Sequence, residues 1–321
     1  MTKLTIPGPQ PLPLIGRKIL LSKFVRDSLG FTTQLFQEYG SLVSLARGGG
    51  TNIYLPLPNC SGTVFTYGAE NVQAVTSQHE IYYKYPLTGG LYRRKDESPR
   101  TEPLKHFGVG LFGVNSDDHR RHRQLLMPAF HQKRIESYCN TFIEITESIS
   151  EQIEVNQVID VAKLMRLLTL RVATKTLFGA DIEEKGSKSA ALLQKIGILL
   201  SNPITMVLPF DLPGFPFYRM INLMAELDEE MREIIRSQKA TEIDTGDVLS
   251  MLIKARDAET GMTLTEDELL GHVSVIFAAG HETSANALTW TLFLLSQHPE
   301  IAADLLDELD TVLQGKAPTI E

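Results

Sequence analysis

The chain has 321 residues, 43% hydrophobic and 22% charged, and carries a net charge of −8. That is apolar enough for a sizeable core, and the acidic balance argues against a general nucleic-acid binder. Two cysteines, Cys60 and Cys139, are too few for a disulfide framework and lack metal-site spacing, which suits a reducing compartment.

The elements follow in chain order. Residues 6–16 are proline-rich and predict a stiff strap over the surface. Residues 31–39 look helical. Ser41–Ala46 alternates, Arg47-Gly48-Gly49-Gly50 turns, and Asn52–Leu57 returns as the second arm of a hairpin, with a third short strand over Gly62–Thr66. Apolar periodicity then predicts helices over 71–77, 117–126, 134–153, 160–178, 189–200, 218–238 and 245–256, with a short strand near Val158–Ile159. A last pair of helices begins at Thr265, where Glu268 three residues on completes a capping box. The first of the pair runs to about Gln297, where Pro299 stops it, and spans on the order of 50 Å. The second continues to about Leu313. No run reaches the roughly 18 apolar residues of a membrane span, and no signal-peptide pattern opens the chain. A soluble cytoplasmic protein is the expectation.

The long helix carries Ala279-Gly280-His281-Glu282-Thr283-Ser284 inside an apolar run. An ionisable side chain there is costly unless something uses or pairs it. A mid-helix glycine costs about 1 kcal/mol against alanine. Thr283 can bond back to the carbonyl of Ala279 and loosen the helix. Ile276, Ala279, Gly280, Thr283 and Ala287 share one face, so a notch of small side chains sits beside a carboxylate and a hydroxyl. A flat ligand fits such a notch.

A second constellation is Asp117-Asp118-His119-Arg120-Arg121-His122-Arg123, followed by Pro128-Ala129-Phe130. His119 and Arg123 are i and i+4 on one face, a spacing that suits a bidentate acid group. A solvated basic face is the bland alternative. Three other motifs fail on context. Gly108-x-Gly110-x-x-Gly113 follows a polar, proline-broken stretch rather than a strand, His281-Glu282 lacks the second histidine of a zinc site, and Arg47–Gly50 lacks the Lys-Ser/Thr of a phosphate loop.

The hexapeptide resembles the Ala-Gly-x-Glu-Thr-Ser/Thr signature of the central helix of cytochrome P-450 enzymes, the haem-thiolate monooxygenases. The His119-x-x-x-Arg123 helix with its Pro-Ala-Phe stretch, and Leu295-x-x-His298-Pro299-Glu300, are similar to further signatures of that family. The match runs from residue 6 to about residue 315. It implies a mainly α fold with a small N-terminal β-sheet. It also implies a single domain over 1–321 that is incomplete, with a leader at 1–16, a sheet at 41–66 and a helical body at 67–321.

The resemblance implies haem b as cofactor, with His119 and Arg123 on its propionates and Ala279 and Gly280 forming the oxygen notch. Glu282 and Thr283 would relay protons, and Phe112 would touch substrate. The implied reaction inserts one oxygen atom from O2 into a small apolar organic substrate, with electrons from a ferredoxin- or reductase-type protein. The family's Glu-x-x-Arg pair on a later helix, and the cysteine-ligand loop after it whose thiolate holds the iron, do not follow the long helix before residue 321, and Glu308 and Glu321 have no partner arginine at that spacing. No metal ligand is therefore assigned, the axial cysteine is expected beyond residue 321, and this chain alone is expected to be inactive, with an apolar helical surface exposed. A non-catalytic truncated product and a haem-free small-molecule binding module stay open beside the enzyme.

Overall fold

In the computed structural model the residues described are 5–51, 61–84, 99–179, 183–202, 204–205, 210–240, 246–256 and 261–319. The chain divides into two compact units, Met1–Lys105 with Gly197–Ile221, and His106–Ile196 with Asn222–Glu321.

The first unit opens with helices α1 (Gly16–Arg26) and α2 (Ser28–Tyr39), then strands β1 (Leu42–Ser44) and β2 (Val64–Thr66), and helix α3 (Ala69–Ser77). Asp27 caps α2 by accepting from the Gly30 amide at 2.9 Å. The strands pair antiparallel with Val43 opposite Phe65, and Leu35, Val43 and Leu45 form a small core under Phe24, Phe31 and Phe36. The first strand thus pairs directly with the strand expected third, while the return arm at 52–57 lies outside the described residues. The proline-rich strap lies along β1. Pro7 and Pro9 have no amide hydrogen, but their carbonyls accept from the amides of Ser44 at 2.7 Å and Arg47 at 2.9 Å. Gly8 lets the strap approach, since a Cβ there would collide with the Ser44 carbonyl.

The remaining helices are α4 (Glu102–Val109), α5 (Ser116–Leu126), α6 (Gln132–Ser150), α7 (Val161–Phe178), α8 (Glu183–Leu200), α9 (Pro216–Ala240), α10 (Val248–Lys254), α11 (Glu266–Gln297) and α12 (Pro299–Leu313). Among the described residues, two α-helices escape the sequence reading. One is α1. The other is α4, where Pro103 sits at the second helical position, which needs no amide hydrogen. The strand expected near Val158–Ile159 is irregular chain leading to Asp160, which caps α7 through the Lys163 amide at 3.0 Å.

In the second unit α11 packs most extensively along α7. Phe178 and Phe277, both fully buried, meet with ring centroids 5.6 Å apart. Leu249 and Leu252 of α10 close over Leu177, Val273 and Ile276. Helix α9 buries Met224, Leu227, Met231 and Ile234, a stripe at helical spacing. Gly271 and Gly110 allow backbones to touch: a Cβ on Gly271 would sit 2.5 Å from the His106 carbonyl, and one on Gly110 would sit 2.7 Å from the Gly271 carbonyl.

Burial changes along α11. Residues 269–275 and Phe277 are buried, and beyond Ala285 the helix is mostly exposed. Trp290 is 63% exposed and Phe293 52%, and on α12 Leu306 is 61% exposed and Val312 69%. Glu282 is accordingly half-buried rather than enclosed in core, a correction to the buried setting expected for it. The helix thus turns Leu288, Trp290, Leu292, Phe293 and Leu294 outward.

Candidate haem site

The notch lies where α11 passes from buried to exposed. Ile276 and Ala279 are half-buried, and Gly280, Thr283 and Ala287 are exposed, so the face expected from the spacing is open. A Cβ built on Gly280 meets nothing within 4 Å. Among the described residues nothing in the packing therefore requires glycine there, although it costs the helix about 1 kcal/mol. Thr283 donates its hydroxyl hydrogen to the Ala279 carbonyl at 2.6 Å, and Ser284 donates to the Gly280 carbonyl at 3.1 Å. These back-bonds hold both hydroxyls along the helix and leave the lone pairs of Thr283 on the open face. His281 turns the other way. It is buried and stacked on Phe277 at 5.8 Å, and burial pushes its pKa down.

On α5, His119 is half-buried and Arg123 exposed, one turn apart on one face. Phe112 lies in the turn after α4 and is 62% exposed. In the Gly108–Gly113 stretch, Gly108 and Val109 form the last turn of α4.

Sequence reasoning missed a buried polar cluster behind this surface. Arg121 and His122, on the inner side of α5, reach the first two turns of α11. The Glu268 carboxylate accepts from Arg121 and from His122 Nε2, the latter at 3.0 Å. His272 Nε2 lies 3.1 Å from His122 Nδ1, with the two rings edge to face. His122 and His272 are almost fully buried. Burial alone would raise the Glu268 pKa, but its bonds to the Thr265 amide, Arg121 and His122 hold it down at about 2. Burial, and then the neighbouring His122, push His272 down to about 4. Beside this cluster, His106 pairs with buried Asp228, and Asp267 lies 3.4 Å from both His106 and Arg232. Burial opposes charge on His106, but Asp228 and Asp267 outweigh it and raise its pKa. The available signal was the Thr265/Glu268 capping box, which revealed half of what Glu268 does.

A haem needs partners on its faces, its acid edge and its iron. The open notch fits a flat ring, and the adjacent donors on α5 fit acid groups. The iron is the misfit: Cys139 is half-buried on α6 and Cys60 lies outside the described residues. Among the described residues no group of three His, Cys, Asp or Glu is placed to hold a metal ion.

The cytochrome P-450 family model matches residues 6–321, and the chain belongs to that family. It is 34% identical to cyclooctatin synthase of Streptomyces melanosporofaciens, over 97% of this chain and 63% of the relative. It is 29% identical to pentalenene oxygenase of Streptomyces avermitilis, over 97% of this chain and 64% of that one. A retinoic acid-bound cyanobacterial member superposes with a TM-score of 0.73 at 22% identity, over 98% of this chain and 65% of that one, which supports the fold. The chain thus spans a little under two-thirds of the length of these relatives. No helix among the described residues is long and apolar enough to cross a membrane.

Proposed function

We propose that the chain forms the greater part of one haem monooxygenase domain that inserts an oxygen atom from O2 into an apolar organic substrate. The observation that carries this reading is the open Ala279–Gly280–Thr283 face, where a costly glycine meets no packing neighbour among the described residues. Haem b, when bound, supplies the iron chemistry that activates O2. This chain's own residues hold and serve it. His119 and Arg123 donate to its propionates, where charge-assisted bonds are strongest. Ala279 and Gly280 admit the ring and O2 by their small size. The Thr283 hydroxyl, held to the Ala279 carbonyl, passes a proton at its oxygen, and Glu282 resupplies it. Phe112 contributes apolar surface to the substrate side.

Cys139 sits mid-helix on α6 rather than in a loop, so the reading assigns no axial thiolate among the described residues. Electrons arrive from a ferredoxin- or reductase-type protein. The names of the relatives point to cyclic hydrocarbons and their alcohols as the substrate class, pentalenene and cyclooctat-9-en-7-ol being concrete probes. A cytoplasmic location accompanies this reading.

The test is incubation of the protein from its natural source with a reductase system and these probes under 18O2. One labelled oxygen per product molecule is expected. Reduction without label incorporation into any probe, in protein that holds haem, would contradict the reaction assigned.

A further inference from the structure

We propose that Arg121, His122, His272 and Glu268 form a positioning element, a hydrogen-bonded chain that fixes α5 in one register on α11 and so sets the place of Arg123 and His119 relative to the notch. It rests on the haem reading above for its consequence, and on geometry for its existence.

Helix α5 has 11 residues and buries only His122, Leu125 and Leu126. Apolar contacts are non-directional and tolerate sliding, so two leucines define its rotation poorly. The polar chain defines it well. A carboxylate only accepts, so His122 Nε2 carries the hydrogen that goes to Glu268. His122 Nδ1 is then the acceptor for His272 Nε2–H at 3.1 Å, and His272 Nδ1 is left as a bare nitrogen with no partner among the described residues. One tautomer on each ring satisfies the bonds from Glu268 through His122 to His272, while Arg121 Nη2, 2.8 Å from the same His122 Nε2, is served by the shared Glu268 carboxylate rather than by the ring. Glu268 is itself fixed by the Thr265 amide at 2.8 Å, so the chain is anchored at the start of α11. Arg123 follows His122 directly, so any rotation that breaks the imidazole pair also moves the propionate donor.

A separate ion-pair group among the described residues joins Glu266 and Asp267 on α11, His106 on α4, and Asp228 and Arg232 on α9. None of them replaces His272 as donor to His122.

Two substitutions separate positioning from filling. His272→Gln keeps an N–H donor at the position of Nε2, and His272→Phe keeps the bulk and loses the donor. Spin labels placed through Arg120→Cys and Ser284→Cys, in a background with Cys60 and Cys139 replaced by Ser, report the α5–α11 distance by pulsed electron resonance without any haem. A single narrow distance distribution is expected with His272 and with His272→Gln, and a broadened or shifted one with His272→Phe. An unchanged distribution in His272→Phe overturns the proposal. So does an equal disturbance in both variants.

Haem affinity, read by absorbance, should fall about tenfold in His272→Phe, equivalent to ~1.4 kcal/mol, and stay within about twofold in His272→Gln. A broadened distance with unchanged affinity overturns the link to the propionate pair. Absence of haem binding in the parent protein removes the monooxygenase reading, while the distance measurement still decides whether the chain fixes α5.

Discussion

Two glycines nine residues apart on one helix have opposite reasons to exist. Gly271 lies in the buried half of α11, where a side chain would strike the His106 carbonyl at 2.5 Å. Gly280 lies where the helix opens, and a side chain there would meet nothing within 4 Å. The same contrast runs through whole stretches. Val273, Val275 and Phe277 are buried against neighbouring helices, while Leu292, Phe293 and Leu294, equally apolar, face outward. A residue type says what burial would be worth, and only the neighbours decide whether burial occurs. In the first half of α11 the sequence serves packing, and at the notch, where we propose the haem sits, the face is open.

The largest expected effect sharpens that contrast. Phe277→Ala removes a fully buried ring and should cost about 3–5 kcal/mol, while Phe293→Ala should cost no more than ~0.5 kcal/mol. Urea denaturation of the two variants checks it, and similar costs would break the division of α11 into a packed and an unpacked half.

Acidification probes the buried half alone. The unfolded chain's His272 titrates near 6.5, and in the fold it titrates at about 4. The unfolded state therefore takes up the proton first, and stability falls between about pH 6.5 and 4 by roughly 3 kcal/mol. Glu268, held at about 2 against an ordinary 4.5, extends the loss below pH 4.5. His106 has a raised pKa, so its contribution is complete below 6.5 and leaves this window unchanged. Asp228, raised by burial, acts in the opposite sense near its ordinary 3.8. The urea midpoint should thus decline from pH 6.5 to 4 in the parent, and the decline should lessen in His272→Gln while the part due to His281, also pushed down by burial, remains.

The glycines themselves give the next test. Gly271→Ala should destabilise by about 1–3 kcal/mol through overpacking. Gly280→Ala should stabilise the protein without ligand by about 0.5–1 kcal/mol, because only helix propensity changes, and should weaken haem binding. Melting curves of both variants check the signs, and destabilisation by Gly280→Ala would mean that the notch is a packing feature after all. The smallest effect is Thr265→Ala, about 1 kcal/mol or less from loss of one arm of the capping box.

Much of this fold was legible because its signals are local. Both arms of the Thr265/Glu268 box form, and Pro299 ends α11 where the sequence placed its stop. The notch face followed from helical spacing alone, and the exposure of Gly280, Thr283 and Ala287 agrees with it. What was lost involves distance along the chain. His122 and His272 meet across 150 positions, and Gly110 and Gly271 touch across a comparable gap, so no periodicity announces either contact. Pro103 misled for a different reason. Read as a breaker, it occupies one of the few helical positions where a missing amide hydrogen costs nothing.

The most direct test of the account is a haem titration, followed by absorbance, of the haem-stripped protein from its natural source and of its Arg123→Ala variant. Arg123 is exposed on α5, so its removal should leave the melting midpoint essentially where it was. The account predicts saturable binding that weakens about tenfold or more in the variant, the loss of one charge-assisted bond. Equal affinity in the two proteins, or no saturable binding to either, would contradict it.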